Sequence, residues 1–128
     1  MFHFWGNGLT DKGVKAISQS LFDKLKLSFL YILGREVGNK GIHELMKILT
    51  NKINLQYLYL TGDEIADEGI SSIAKGIVQK KELKSIYLSG KFGDRGINEL
   101  VKSIFSLPEV NFLNLKGCKI SDSGAFSL

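Results

Sequence analysis

The sequence predicts an α/β fold, a right-handed solenoid with parallel strands on a concave face and helices on a convex face. Three observations lead there. First, Leu55–Gly69, LQYLYLTGDEIADEG, is rewritten as Leu27–Gly41, LSFLYILGREVGNKG, as Leu83–Gly96, LKSIYLSGKFGDRG, and as Val110–Gly124, VNFLNLKGCKISDSG. A copy already under way, Phe2–Gly13, opens the chain. Self-similarity at a fixed period of 20–50 residues decides architecture before any single residue does. Second, two glycine ladders keep the register: Gly6, Gly34, Gly62, Gly90, Gly117 at intervals of 28, 28, 28 and 27, and Gly13, Gly41, Gly69, Gly96, Gly124 at 28, 28, 27 and 28. One residue deleted between Gly90 and Gly96 accounts for both short steps. Third, each repeat changes its hydrophobic period halfway, from two to three-and-four.

The strand half is clearest at Tyr57–Thr61, where Leu58 and Leu60 alternate with Tyr57, Tyr59 and Thr61. Strict alternation makes a short strand buried on one side. Its counterparts are Phe2–Trp5, Phe29–Leu33, Ser85–Ser89 and Phe112–Lys116. Their inward pairs are expected to be Phe2/Phe4, Leu30/Ile32, Leu58/Leu60, Ile86/Leu88 and Leu113/Leu115. The helical half follows each second-ladder glycine. Apolar residues fall at Val14, Ile17, Leu21; Ile42, Leu45, Leu49; Ile70, Ile73, Ile77; Ile97, Leu100, Ile104; then Ala125 and Leu128. These spacings share one helical face. Asp11, Asn39, Asp67, Asp94 and Asp122 stand two residues before those glycines and are expected to be N-caps. Pro108 marks the stop beyond the fourth helix. Helices need about 10 Å of stacking per repeat and strands about 4.8 Å, so the stack curves with its strands inside.

At 128 residues the chain reads as one domain, 1–128, divided into units 1–26, 27–54, 55–82, 83–109 and 110–128. No run of about 20 apolar residues spans a membrane. The opening MFHFWGNGLTDKG lacks the basic region and apolar core of a signal peptide. A single cysteine, Cys118, rules out an internal disulfide framework and suits a reducing compartment, so a cytoplasmic location is expected. The formal charge of +4 is modest. Neither end carries the polar capping unit usual in repeat stacks. Either the chain is part of a longer one or its ends are covered, and homo-oligomerisation through apolar ends (Phe2, Phe4, Ala125, Phe126, Leu128) is one expectation.

The pattern L-x-x-L-x-L-x-G-N-x-I-x-D-x-G followed by a helix resembles the leucine-rich repeat of the long, ribonuclease-inhibitor type. The resemblance covers nearly the whole chain. It implies a non-enzymatic protein-binding module without cofactors. Proteins of similar repeats include ribonuclease inhibitor, NOD-like receptor sensors, tropomodulin's C-terminal domain and effectors of intracellular bacteria, the last of which would place it in a host cytosol. The alternative the resemblance implies is a GTPase activator like the Ran GTPase-activating protein, with Arg35 or Arg95 in the loops that meet the GTPase. Asn7 and Cys118 match the position where the family bonds its loop backbone, whereas Arg35, Asp63 and Lys91 depart from it; their side chains are expected to face solvent, with more mobile loops.

No catalytic constellation emerges. His3 and Cys118 sit four strand steps of about 4.8 Å apart, beyond hydrogen-bond reach. His43 lies on a convex helix. The acidic run Asp63-Glu64-Ile65-Ala66-Asp67-Glu68 reads as helix-dipole compensation rather than a metal site. The lysines Lys12, Lys15, Lys47, Lys75 and Lys102 are interspersed with acids and lack a stacking surface, so nucleic acid is not expected. The concave face is the candidate site. Tyr31, Tyr59 and Tyr87 lie in register between His3 and Asn114. Phe29, Tyr57, Ser85 and Phe112 form the column before them, and Trp5, Leu33, Thr61, Ser89 and Lys116 the column after. Cross-strand pairing alone is one reason for such rings. Aromatics the core does not need, displayed on a preformed surface, also mark interaction hot spots. Trp5, Phe29, Tyr31, Tyr57, Tyr59, Tyr87, Phe112 and Asn114 are therefore the expected partner-binding residues, with ring faces open to solvent.

Overall fold

A computed structural model describes residues 2–5 (backbone only), 9–21, 26–50 and 54–119. Strands and helices alternate: β1 Phe2–Trp5, α1 Asp11–Leu21, β2 Phe29–Leu33, α2 Asn39–Leu49, β3 Tyr57–Thr61, α3 Asp67–Ile77, β4 Ser85–Ser89, α4 Asp94–Ile104 and β5 Phe112–Lys116. The strands form one parallel sheet in the order β1-β2-β3-β4-β5. Each residue pairs with its own repeat equivalent, as in Tyr31↔Tyr59, Tyr59↔Tyr87 and Tyr87↔Asn114. This is the predicted solenoid. The expected fifth helix, with Asp122, Gly124, Ala125, Phe126 and Leu128, lies outside the described residues, as do the side chains of Phe2, His3, Phe4 and Trp5.

The core follows the two periods. Leu30, Ile32, Leu58, Leu60 and Ile86 are 0% exposed, and so are Ile42, Leu45, Leu49, Ile70, Ile73, Ile77, Ile97 and Leu100 from the helices. Ile17, Ile104, Leu113 and Leu115, expected in the core, are only partly buried and pack against it. A further column, Val37, Ile65 and Phe92, fills the turn between strand and helix. Repeat four has the deletion, and there the larger Phe92 takes the place of Val37 and Ile65.

The expected N-caps are a correction. Asp11, Asn39, Asp67 and Asp94 are the first helical residues. For α2, α3 and α4 the cap positions belong to Gly38, Ala66 and Gly93, which make no side-chain cap bond. The acidic and amide side chains instead serve the next repeat. The Gly38 N–H donates to Asp11 Oδ1 at 2.8 Å. Asn39 Oδ1 accepts from the Ala66 and Gly69 N–H groups, both at 2.9 Å. Asp67 Oδ1 accepts from Gly93 at 2.8 Å and Gly96 at 3.1 Å. The amides satisfied are those a helix start leaves without intrahelical partners, so α2, α3 and α4 are each capped by the preceding helix. The second glycine ladder follows from this. A Cβ would stand 2.6 Å from Asp11 Oδ1 at Gly41, 2.6 Å from Asn39 Oδ1 at Gly69 and 2.8 Å from Asp67 Oδ1 at Gly96. Only glycine lets the amide and the capping oxygen meet.

Loops bearing Arg35, Asp63 and Lys91 are tied by backbone rather than by an asparagine side chain. The Asp63 N–H donates to Arg35 O at 2.9 Å and the Lys91 N–H to Ile65 O at 2.7 Å. All three side chains face solvent, as expected.

Candidate protein-binding face

Alternation along β2, β3 and β4 turns Leu and Ile to the helices and leaves the other side chains on an open sheet face. There parallel pairing sets equivalent rings on adjacent strands. Tyr31 and Tyr59 have ring centroids 5.1 Å apart and Tyr59 and Tyr87 5.7 Å apart, with planes tilted by 50° and 44°. Phe29 joins Tyr57 at 5.5 Å and Tyr59 at 5.8 Å, and stacks beside Tyr31 at 6.2 Å. Five of the eight expected residues thus form one contiguous aromatic patch centred on Tyr59.

The rings are half-buried against one another rather than fully open. Their packing explains Ser85, which occupies an open-face position yet is only 6% exposed. The Tyr59 and Ser85 hydroxyls lie 3.4 Å apart, within hydrogen-bond reach. Phe112 and Asn114 sit on β5, opposite Ser85 and Tyr87. Both are exposed, Phe112 by 46%. On β1 the backbone register sets His3 against Tyr31 and Trp5 against Leu33. Charge is nearly absent from this face. Among its twelve positions on β2–β5, Lys116 alone is ionised.

The remaining candidates are occupied by structural roles. Arg95 Nη2 lies 3.2 Å from Glu68 Oε1 and its Nε 4.0 Å from Asp67 Oδ2. Glu64 faces Lys91 at 3.9 Å. Asn39 Nδ2 donates to Glu68 Oε2 at 3.3 Å, so Glu64, Asp67 and Glu68 of the acidic run are divided among groups of repeats two and four. Cys118 is half-buried and directs its thiol at Leu115 O, 3.6 Å away. His43 Nδ1 lies 3.5 Å from Ser72 Oγ on the helix layer. Among the described residues no group of three or more His, Cys, Asp or Glu gathers as a metal site, and no helix is long and apolar enough to cross a membrane.

Two features escaped the sequence reading. Phe105, the C-cap of α4, is 85% exposed, and Val78 holds the same place after α3. Lys80 is the opposite case, a lysine with no exposed surface, its ammonium donating to the carbonyl of Leu49 at the end of α2. Burial draws its pKa down from 10.5 to about 8, because desolvation disfavours the charged form. The alignment of repeats did not give it away: Lys24, Lys52 and Lys80 stand three residues before Leu27, Leu55 and Leu83, and Leu107, buried three residues before Val110, is the apolar exception.

The leucine-rich repeat family matches residues 4–18, 51–74 and 110–128. With the five-stranded parallel sheet and its backing helices, this defines the class: the chain is a leucine-rich repeat protein. Such repeats generally mediate protein–protein interaction and are typically non-catalytic. Comparison with curated proteins gives no significant match.

Proposed function

We infer that this protein is a non-enzymatic interaction module of the ribonuclease-inhibitor-like type, binding a protein partner along the concave, open face of its sheet. The observation that carries the reading is the aromatic patch around Tyr59. Leu30, Ile32, Leu58, Leu60, Ile86 and Leu88 already fill the other side of the same strands, so the rings are surplus to the core. Tyrosine combines a large apolar ring with a polar tip and suits a surface that alternates between water and a partner. Phe29, Tyr31, Tyr57, Tyr59 and Tyr87 would form the centre, with Trp5, Phe112 and Asn114 at its margins.

The test is capture from a cell lysate on the wild-type chain, on a Tyr31→Ala/Tyr59→Ala/Tyr87→Ala variant and on a His43→Ala variant altered in the helix layer. The reading expects a protein retained by the first and third and lost by the second. Equal retention by all three would move the site off the sheet. A GTPase-activating role through Arg35 or Arg95 gains no support from Arg95, which is engaged by Glu68 and Asp67. Stimulation of GTP hydrolysis that Arg95→Ala abolishes would revive it.

A further inference from the structure

We propose that the occupant of the open face is a proline-rich segment in polyproline II conformation, lying across the strands over Tyr31, Tyr59 and Tyr87. The proposal rests on the concave-face reading and names the chemistry of its partner. Three properties of the face carry it.

The first is charge. An acidic or basic segment requires fixed counter-charges, and on β2–β5 this face offers Lys116 alone, at the far corner from Phe29. Desolvating an anion here would go uncompensated, and a cation would meet ring faces but no carboxylate. The occupant is therefore neutral over the aromatic patch.

The second is hydrogen bonding. Tyr57, Tyr87, Thr61, Ser89 and Asn114 bring hydroxyl and amide donors to the face, and no carboxylate stands among them. A polyproline II chain has no internal hydrogen bonds, so all its carbonyls need donors, and its prolines have no N–H needing an acceptor. An α-helix satisfies its own backbone and would cover the same hydroxyls with apolar side chains.

The third is shape. The rings are half-buried and tilted against one another by 50° and 44°. Two strand steps measure about 9.6 Å. One three-residue turn of polyproline II advances about 9.3 Å. Prolines three residues apart would thus meet Tyr31 and Tyr87 with Tyr59 beneath the residues between them. Aromatic surfaces recognise this conformation because it is already ordered before binding. Half-buried rings leave limited contact area to offset ordering a flexible chain, which favours a ligand that is stiff beforehand.

The experiment titrates the full chain by NMR with three neutral-capped peptides: decaproline, a glycine–serine peptide of equal length and an amphipathic leucine–lysine helix. Decaproline is expected to shift signals of Tyr31, Tyr59 and Tyr87 saturably, at least tenfold more tightly than the glycine–serine peptide. Tyr57→Phe and Tyr87→Phe keep the rings and remove hydroxyls, so they guard against misfolding, and each should weaken decaproline about threefold or more. His43→Ala should leave it unchanged. No saturable shift with 10 mM decaproline would overturn the proposal, as would tighter binding of the helical peptide. If that helical binding still depended on the tyrosines, the concave-face reading would stand while the polyproline assignment fell. Decaproline binding insensitive to every tyrosine change would defeat both.

Discussion

Within β3, Leu58 and Leu60 are 0% exposed while Tyr57 and Tyr59, one residue away, are half-buried among other rings. The two faces of one strand share backbone, register and neighbours, and differ in what covers them. Helices α2, α3 and α4 enclose the leucine side. The tyrosine side is covered only by itself. A period of two thus separates the residues that the helices enclose from those on the open face, and substitutions on the two sides should fail in different ways.

The largest effect is expected on the enclosed side. Leu58→Ala should lower unfolding free energy by about 2–5 kcal/mol in denaturant titration, the cost of a central core truncation. A loss under about 1 kcal/mol would mean that the helices do not enclose it.

Lys80 sharpens the contrast by putting an amine in the enclosed layer. Its folded pKa of about 8 lies below the unfolded value of 10.5. Between those pH values the unfolded chain holds more protons, so stability rises with pH across that window. Relative to Lys80→Met, the wild-type chain should gain about 3 kcal/mol from pH 8 to pH 10.5. Parallel stability curves for the two proteins would show that the amine is not desolvated.

The junction between repeats is next. Asn39→Ala removes the acceptor for the Ala66 and Gly69 amides, and leaving them unmatched should cost about 1–3 kcal/mol. Gly69→Ala should destabilise through the same contact, because its Cβ displaces Asn39 Oδ1. Amide exchange at the start of α3 should accelerate in both variants. Unchanged protection there would contradict cross-repeat capping.

Much of this was legible in the residues, for a physical reason. The ladder Gly34, Gly62, Gly90 and the alternation in Tyr57–Thr61 are local signals, and in a solenoid local register also fixes the tertiary register. Tyr31, Tyr59 and Tyr87 had to align once their strands were parallel. Contacts between repeats were harder to read. The position of Asn39 is periodic, but periodicity does not reveal whether its oxygen bonds its own helix or the next one. Lys80 looks like any solvated turn lysine until the end of α2 is packed over it. Ser85 reads as an open-face residue, and its burial depends on the ring that Tyr59 lays beside it.

The most direct test of the account is one substitution with two readouts. Tyr87 meets one ring of the patch, Tyr59, so Tyr87→Ala should lower unfolding free energy by only the cross-strand contribution of about 0.2–1 kcal/mol. Affinity for the partner captured on the wild-type chain should fall by about 1.4 kcal/mol or more, a factor of ten. A stability loss accompanied by unchanged affinity would show that the rings on the open face serve the sheet and not a partner.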